Sequence, residues 1–430
     1  MAIELMRRYE TDLSSLLDHA EAQAAHGAAW LRGLREQAIA IHREHGFPTP
    51  KNEEWKYTPL RAAASREWRL AEPGPAVFER DLPFVSDGAR VVFVNGLFDR
   101  NQLSFKPVSG LTIKSLRDAI DAGEVEGSLG EIAKIEEHSL AALNTALFED
   151  GVYIHLAAGT SVSETIEIVH VTSGDGQIIT PRVLIIAEQG TKASIVETYV
   201  TDGDGTNLVL PVTEVLTASG ANIEHVRVQV ESDKTYSVAL WEIRQEGESE
   251  YRSYNIAFGG AIARTDQNLW LGGEYIVTRL DGIVIANGKQ LIDNHTRLDH
   301  AMPNCNSFEI YKQIVDGEAT VVFNGKIFVH QDAQKTDAVQ TNQALLLSPK
   351  ATINSKPQLE IFADDVKCTH GATVGQIEEE QLFYLRTRGL AVGDATAILV
   401  FAFAAEVLDL ISDEGVRKSL EKRILAKLSS

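Results

Sequence analysis

Two side chains with metal-ligand chemistry, Cys368 and His370, stand two residues apart in the run Ala363-Asp364-Asp365-Val366-Lys367-Cys368-Thr369-His370-Gly371-Ala372-Thr373-Val374-Gly375. In an extended segment the side chains at i and i+2 share a face, so this spacing sets a thiol beside an imidazole. Thiolate and imidazole suit transition metals such as iron and zinc. The neighbouring Asp364 and Asp365 either add hard oxygen ligands for ferrous iron or form a solvated turn. Upstream, His295, His300 and His330 read as hydrogen-bonded structural histidines on strands. Cys305 reads as a small buried hydrophobe.

The same residues bound the chemistry. The chain has two cysteines in 430 residues, whereas an iron–sulfur cluster takes roughly four ligands, mostly thiolate. A cluster handled here needs ligands from another subunit, from other residue types or from a transient carrier. No phosphate-binding loop of the Gly-x-x-x-x-Gly-Lys-Ser/Thr kind, no His-Glu-x-x-His and no Gly-x-Ser-x-Gly occurs. Acidic residues are numerous enough for a glycosidase-type carboxylate pair, but none stands out. The formal net charge of −21 repels phosphate backbones, so nucleic-acid binding is not expected. No membrane span is expected, because no apolar run approaches about 20 residues. No signal-like segment opens the chain. With so few cysteines a disulfide framework is excluded, and a cytoplasmic location is the economical expectation.

The elements that must position Cys368 and His370 fall into three stretches. Residues 1–150 read as mostly helical. Trp30, Leu34, Ala38 and Ile41 lie at helical spacing, and His45-Gly46-Phe47-Pro48 forms a stop. Residues 73–90 read as a linker, Val91–Gly96 as a strand and turn, and Leu111–Phe148 as helix again. The aromatics of Glu54-Trp55-Lys56-Tyr57-Thr58 either form a recognition patch or pack the helices onto the next unit. From residue 151 to 377 short Val/Ile/Thr/Tyr-rich runs are divided by glycine-bearing turns that recur roughly every 25 to 30 residues. No helical pattern intervenes. A sandwich, a barrel or a β-helix fits, and the unbroken length favours the β-helix, whose coils bury their inner rows only against neighbours. Val321–Val329 reads as two strands across an Asn324-Gly325 turn, or as one rung with a sharp corner. Residues 378–430 read as helical. Their central helix, Asp394–Ile411 with Asp394 as N-cap, is apolar nearly all round, so it needs cover from its own chain or from a partner.

Several runs together carry a specific resemblance: Phe323-Asn324-Gly325-Lys326-Ile327, Ala333-Gln334-Lys335-Thr336, Gln340-Thr341-Asn342, Leu345-Leu346-Leu347-Ser348, Pro357-Gln358-Leu359-Glu360-Ile361, the Cys368/His370 run, and Phe383-Tyr384-Leu385-Arg386-Thr387-Arg388-Gly389. With Glu54-Trp55-Lys56-Tyr57-Thr58 near the front, the sequence resembles the SufB/SufD family of iron–sulfur cluster assembly proteins. Its short length and Cys-Thr-His form place it on the SufD side. The resemblance implies a right-handed parallel β-helix core flanked by N-terminal and C-terminal helical domains. It implies pairing with a SufB paralogue through the β-helix and binding of the SufC ATPase through the C-terminal helices. A homodimer through the same edge is implied for the isolated chain. By resemblance His370 faces a SufB cysteine at the assembly interface, with Cys368 close by. The cluster is then a transient cargo shared with SufB, and none is expected to bind the isolated chain tightly. The chain is expected to be a scaffold without an enzymatic activity of its own. A carbohydrate-active β-helix enzyme and a purely structural dimer are the rival readings.

Overall fold

The computed structural model describes residues 8–9, 11–25, 28–74, 88–104, 106–133 and 135–429. Most of the expected linker at 73–90 lies outside them. The centre of the chain is a parallel β-helix of about eight coils. Successive strands alternate between two sheets, so each coil gives one strand to each. Within a sheet the strands pair in parallel and without slippage, and equivalent side chains stack in columns. One inward column runs Ile154, Ile185, Val215, Ile243, Leu269, Leu298, Ile327 and Leu359. All but Leu359 are buried, because only the last coil lacks a neighbour above it. β-branched and leucine side chains suit this stacked, pleated interior.

The glycine repeat marks corners. Gly190 and Gly220 adopt φ of +67° and +69°, the left-handed region that favours glycine. Their N–H groups donate to Ser219 and Gly247 on the next coil at 3.0 and 3.1 Å, so the corners stack as well as the strands.

The front of the β-helix is covered. Arg90–Val94 extends one sheet and Leu111–Ser115 pairs antiparallel with Val152–Leu156 at the head of the other. The expected helix from Leu111 therefore begins as a strand, and helix forms only at Leu116–Asp121 and Ser139–Leu147. The pairing edge offered by Val152–Leu156 overrides the local pattern. Helices Ser14–Ala24, Ala29–His45 and Ser139–Leu147 pack Leu16, Ala20, Ile39, Leu143 and Leu147 against Ile178, Leu208, Val238 and Ile262 of the sheet.

Beyond the last strand come helices Glu379–Thr387, Val392–Leu408 and Glu414–Ser429. Asp394 lies in the first turn of the second of these rather than at its N-cap, which is Ala391. That helix buries Val400, Ala404, Val407 and Leu408 against Val228, Ile256 and Ile283 of the second sheet, while Val392 and Ile398 stay exposed. Its own chain covers one face and leaves another bare.

The Asn324-Gly325 turn is not formed. Thr320–Val329 is one uninterrupted ten-residue strand, paired along its whole length with Leu291–His300 and Thr352–Ile361. An Asn-Gly pair makes a hairpin only when antiparallel partners flank it; here parallel neighbours on both sides hold it extended.

Because each inner row is buried only by its neighbours, Leu298→Ala is expected to cost about 2–5 kcal/mol. The check is the shift in urea midpoint; an unchanged midpoint would contradict the stacked-column packing.

Candidate functional site

The last strand, Lys367–Gly375, pairs only with Asp337–Leu346, and its other edge has no strand among the described residues. Thr352–Ile361 ends the other sheet in the same way. Register fixes the direction of the side chains. Cys368 is the partner of Ala338, which is fully buried, and His370 is the partner of Gln340, which is buried too. The column beneath His370 continues through Glu309, Leu280, Ser253 and His225, all interior. Cys368 and His370 therefore share the inward face, as their spacing implied. They occupy the last coil, which nothing covers among the described residues, so His370 is exposed and Cys368 half-buried.

Burial raises the Cys368 thiol above its ordinary range, and the nearby Asp337 carboxylate adds to this. At neutral pH the thiol therefore keeps its proton. Asp365 takes the turn reading: its carboxylate pairs with Lys335 and its N–H donates to Gln334 Oε1 at 2.9 Å. Asp364 is solvated. No group of three His, Cys, Asp or Glu side chains among the described residues is placed to hold a metal ion. Cys368 and His370 thus lie together on an open edge. Phe362, 59% exposed, and Val374, 52% exposed, flank it.

The remaining candidates sit in packed or hydrogen-bonded settings, except that His330 Nε2 has no hydrogen-bond partner among the described residues. Cys305 is buried, and its thiol donates to Gly273 O at 3.2 Å. His300 is buried beside Ser307 Oγ at 2.9 Å, and burial lowers it to about 4. His330 lies against the rings of Trp270 and Phe328. His295 sits 3.1 Å from Asp293 and 3.3 Å from Glu54. A cavity of about 880 Å³ between the N-terminal helices and the first sheet is lined by His45, Trp55, His138 and Asp266 and includes neither Cys368 nor His370.

In Glu54-Trp55-Lys56-Tyr57-Thr58 the packing role falls to Trp55, whereas the Tyr57 ring stays 40% exposed. Arg264 lies 3.9 Å over the Trp55 ring and donates to Glu54 O at 2.5 Å. Thr58 Oγ1 donates to Asp293. Arg264 also pairs with Asp266 at 2.7 Å and Asp293 at 3.1 Å. These buried charges had no sequence reading. Their one signal is that Arg264/Asp266 and Asp293/His295 occupy alternate positions, hence one face, of their strands.

Two family profiles match the chain: "SUF system FeS cluster assembly, SufBD core domain" over residues 170–403, and "SufBD protein N-terminal region" over residues 8–168. The chain is 30% identical over 393 residues to the iron–sulfur cluster assembly protein SufD of Escherichia coli, covering 89% of this chain and 90% of that one. It is 31% identical over 416 residues to an iron–sulfur cluster assembly SufBD family protein of Synechocystis, covering 91% of each. It is 27% identical over 420 residues to the SufD protein of Bacillus subtilis, covering 93% and 94%.

The Arg264 cluster carries a pH dependence. Burial and Arg264 push His295 down, but Asp293 and Glu54 outweigh them and hold it at about 8 rather than 6.5. A raised value means the protonated ring stabilises the fold fully below about pH 6.5, with that contribution lost as pH rises through about 8. The stability advantage of wild type over His295→Gln is expected to shrink by about 2 kcal/mol between about pH 6 and pH 9. Denaturant titrations at both values check this; a constant difference would contradict it.

Proposed function

The chain belongs to the SufBD family of iron–sulfur cluster assembly proteins, and from that premise we propose that it is a non-enzymatic scaffold subunit on which nascent clusters form. One observation carries the reading. Cys368 and His370 face inward on an uncovered last coil with too few neighbours to enclose a metal. A SufB paralogue that sets its own β-helix edge against Thr352–Ile361 and Lys367–Gly375 supplies the missing ligands. The cluster is then a transient cargo at the seam, with His370 offering an imidazole nitrogen to iron and Cys368 a thiolate once its proton is displaced. The isolated chain holds no cluster tightly and uses the same edge for a homodimer. The setting is cytoplasmic; among the described residues no helix is long and apolar enough to cross a membrane.

The SufC ATPase engages the C-terminal helices. Phe383, 66% exposed, with Tyr384, Val392 and Ile398, forms the apolar surface left bare there. Only Gln376, Ile377 and Glu378 separate the His370 strand from helix Glu379–Thr387. Movement of that helix on ATP binding pulls directly on the strand and strains the seam.

His370→Ala is expected to fold and to co-purify with both partners, yet to lower cluster formation by on the order of tenfold or more. Unimpaired maturation of client proteins would overturn the ligand role. Phe383→Asp is expected to abolish co-purification with SufC while sparing SufB; retention of SufC would overturn the helix assignment.

A further inference from the structure

Gln340 is the register partner of His370, one rung deeper in the same column, and is 1% exposed. Its Nε2 donates to Glu309 Oε2 at 2.6 Å, and Thr296 Oγ1 donates to the other carboxylate oxygen at 2.5 Å. Glu309 lies one rung deeper again and is equally buried. Gly325 presses on the amide from the facing sheet: a Cβ there would stand 2.4 Å from Gln340 Nε2. That explains a glycine in the middle of an unbroken strand. It provides room for the Gln340 amide, not a turn.

The amide nitrogen is committed, but Gln340 Oε1 is buried with no hydrogen-bond partner. Buried carbonyl oxygens are rarely left this way. Only one coil lies beyond it. The inward side chain stacked on Gln340 there, about 4.8 Å along the ladder, is His370.

We infer that Gln340 is a positioning residue for His370, its Oε1 accepting the N–H of one ring nitrogen while Glu309, Thr296 and Gly325 fix the amide. An acceptor on one nitrogen selects the tautomer and ring orientation and leaves the lone pair of the other free for a metal. The ring is thereby aimed out of the open end before any partner arrives. The consequence for cluster formation rests on the reading of His370 as an iron ligand; the contact itself does not.

The test is side-chain ¹⁵N NMR of the full chain labelled at histidine, with the His370 signals identified by their loss in His370→Ala. Wild type is expected to show one fixed His370 tautomer. Gln340→Leu keeps the volume and removes the acceptor. It is expected to move the His370 signals to the average of both tautomers, with those of His225 and His300 unmoved. Identical His370 signals in wild type and Gln340→Leu overturn the inference. If Gln340→Leu does not fold, Gln340→Asn, which withdraws the amide by one methylene, decides in its place, and an unchanged tautomer there overturns it. In the assembled complex Gln340→Leu is expected to slow cluster formation by on the order of 10- to 100-fold. If His370→Ala leaves cluster formation intact, the ligand reading falls, while the iron-free NMR result still decides Gln340.

Discussion

A parallel β-helix satisfies its backbone by stacking: each strand's N–H and C=O groups find partners only in the coils before and after it. Each end must therefore be closed by something else or left as an exposed edge. Here the front is closed by Leu111–Ser115, by Arg90–Val94 and by the N-terminal helices. Nothing closes the far end among the described residues. Lys367–Gly375 and Thr352–Ile361 expose their edges there, together with interior positions that every other coil keeps buried. Unpaired edges of this kind are templates for another chain. Cys368 and His370 lie on that edge for the same reason: only the last coil can present an inward-facing residue to the outside.

Several charges buried elsewhere along the β-helix are matched by partners. Arg182 pairs with Glu214 where both are fully buried. Glu197 is shared between His170 at 3.3 Å and His225 at 3.2 Å and accepts from Tyr199; those bonds hold its carboxyl well below the usual range against the cost of burial. Removing one partner from such a pair strands a charge. The outer face follows the same logic, with the Arg264 cluster pinning the Glu54–Thr58 segment to the sheet.

The fold was legible in the sequence where one local rule determined the result. Val/Ile/Thr runs with recurrent glycines and no helical interludes become stacked coils. The i, i+2 spacing of Cys368 and His370 becomes a shared inward face. Legibility ended where a distant partner decided the outcome. Leu111–Ser115 became a strand because Val152–Leu156 offered an edge. Asn324-Gly325, a hairpin signal by itself, stayed extended between two parallel neighbours, with Gly325 serving to admit the Gln340 amide. Trp55 and Arg264 meet across more than 200 residues of chain, and nothing local to either announces the other. The Gln340 role needed register, since its link to His370 passes through a 30-residue coil.

The central claim is that a second polypeptide completes the site at the open end. Hydrogen exchange followed by mass spectrometry, on the chain alone and with a SufB paralogue added, measures this most directly. The amides of Lys367–Gly375 and Thr352–Ile361 are expected to gain protection while those of Val152–Leu156 at the covered front stay unchanged. Partner binding that leaves exchange at Lys367–Gly375 unaltered and protects another surface would contradict it.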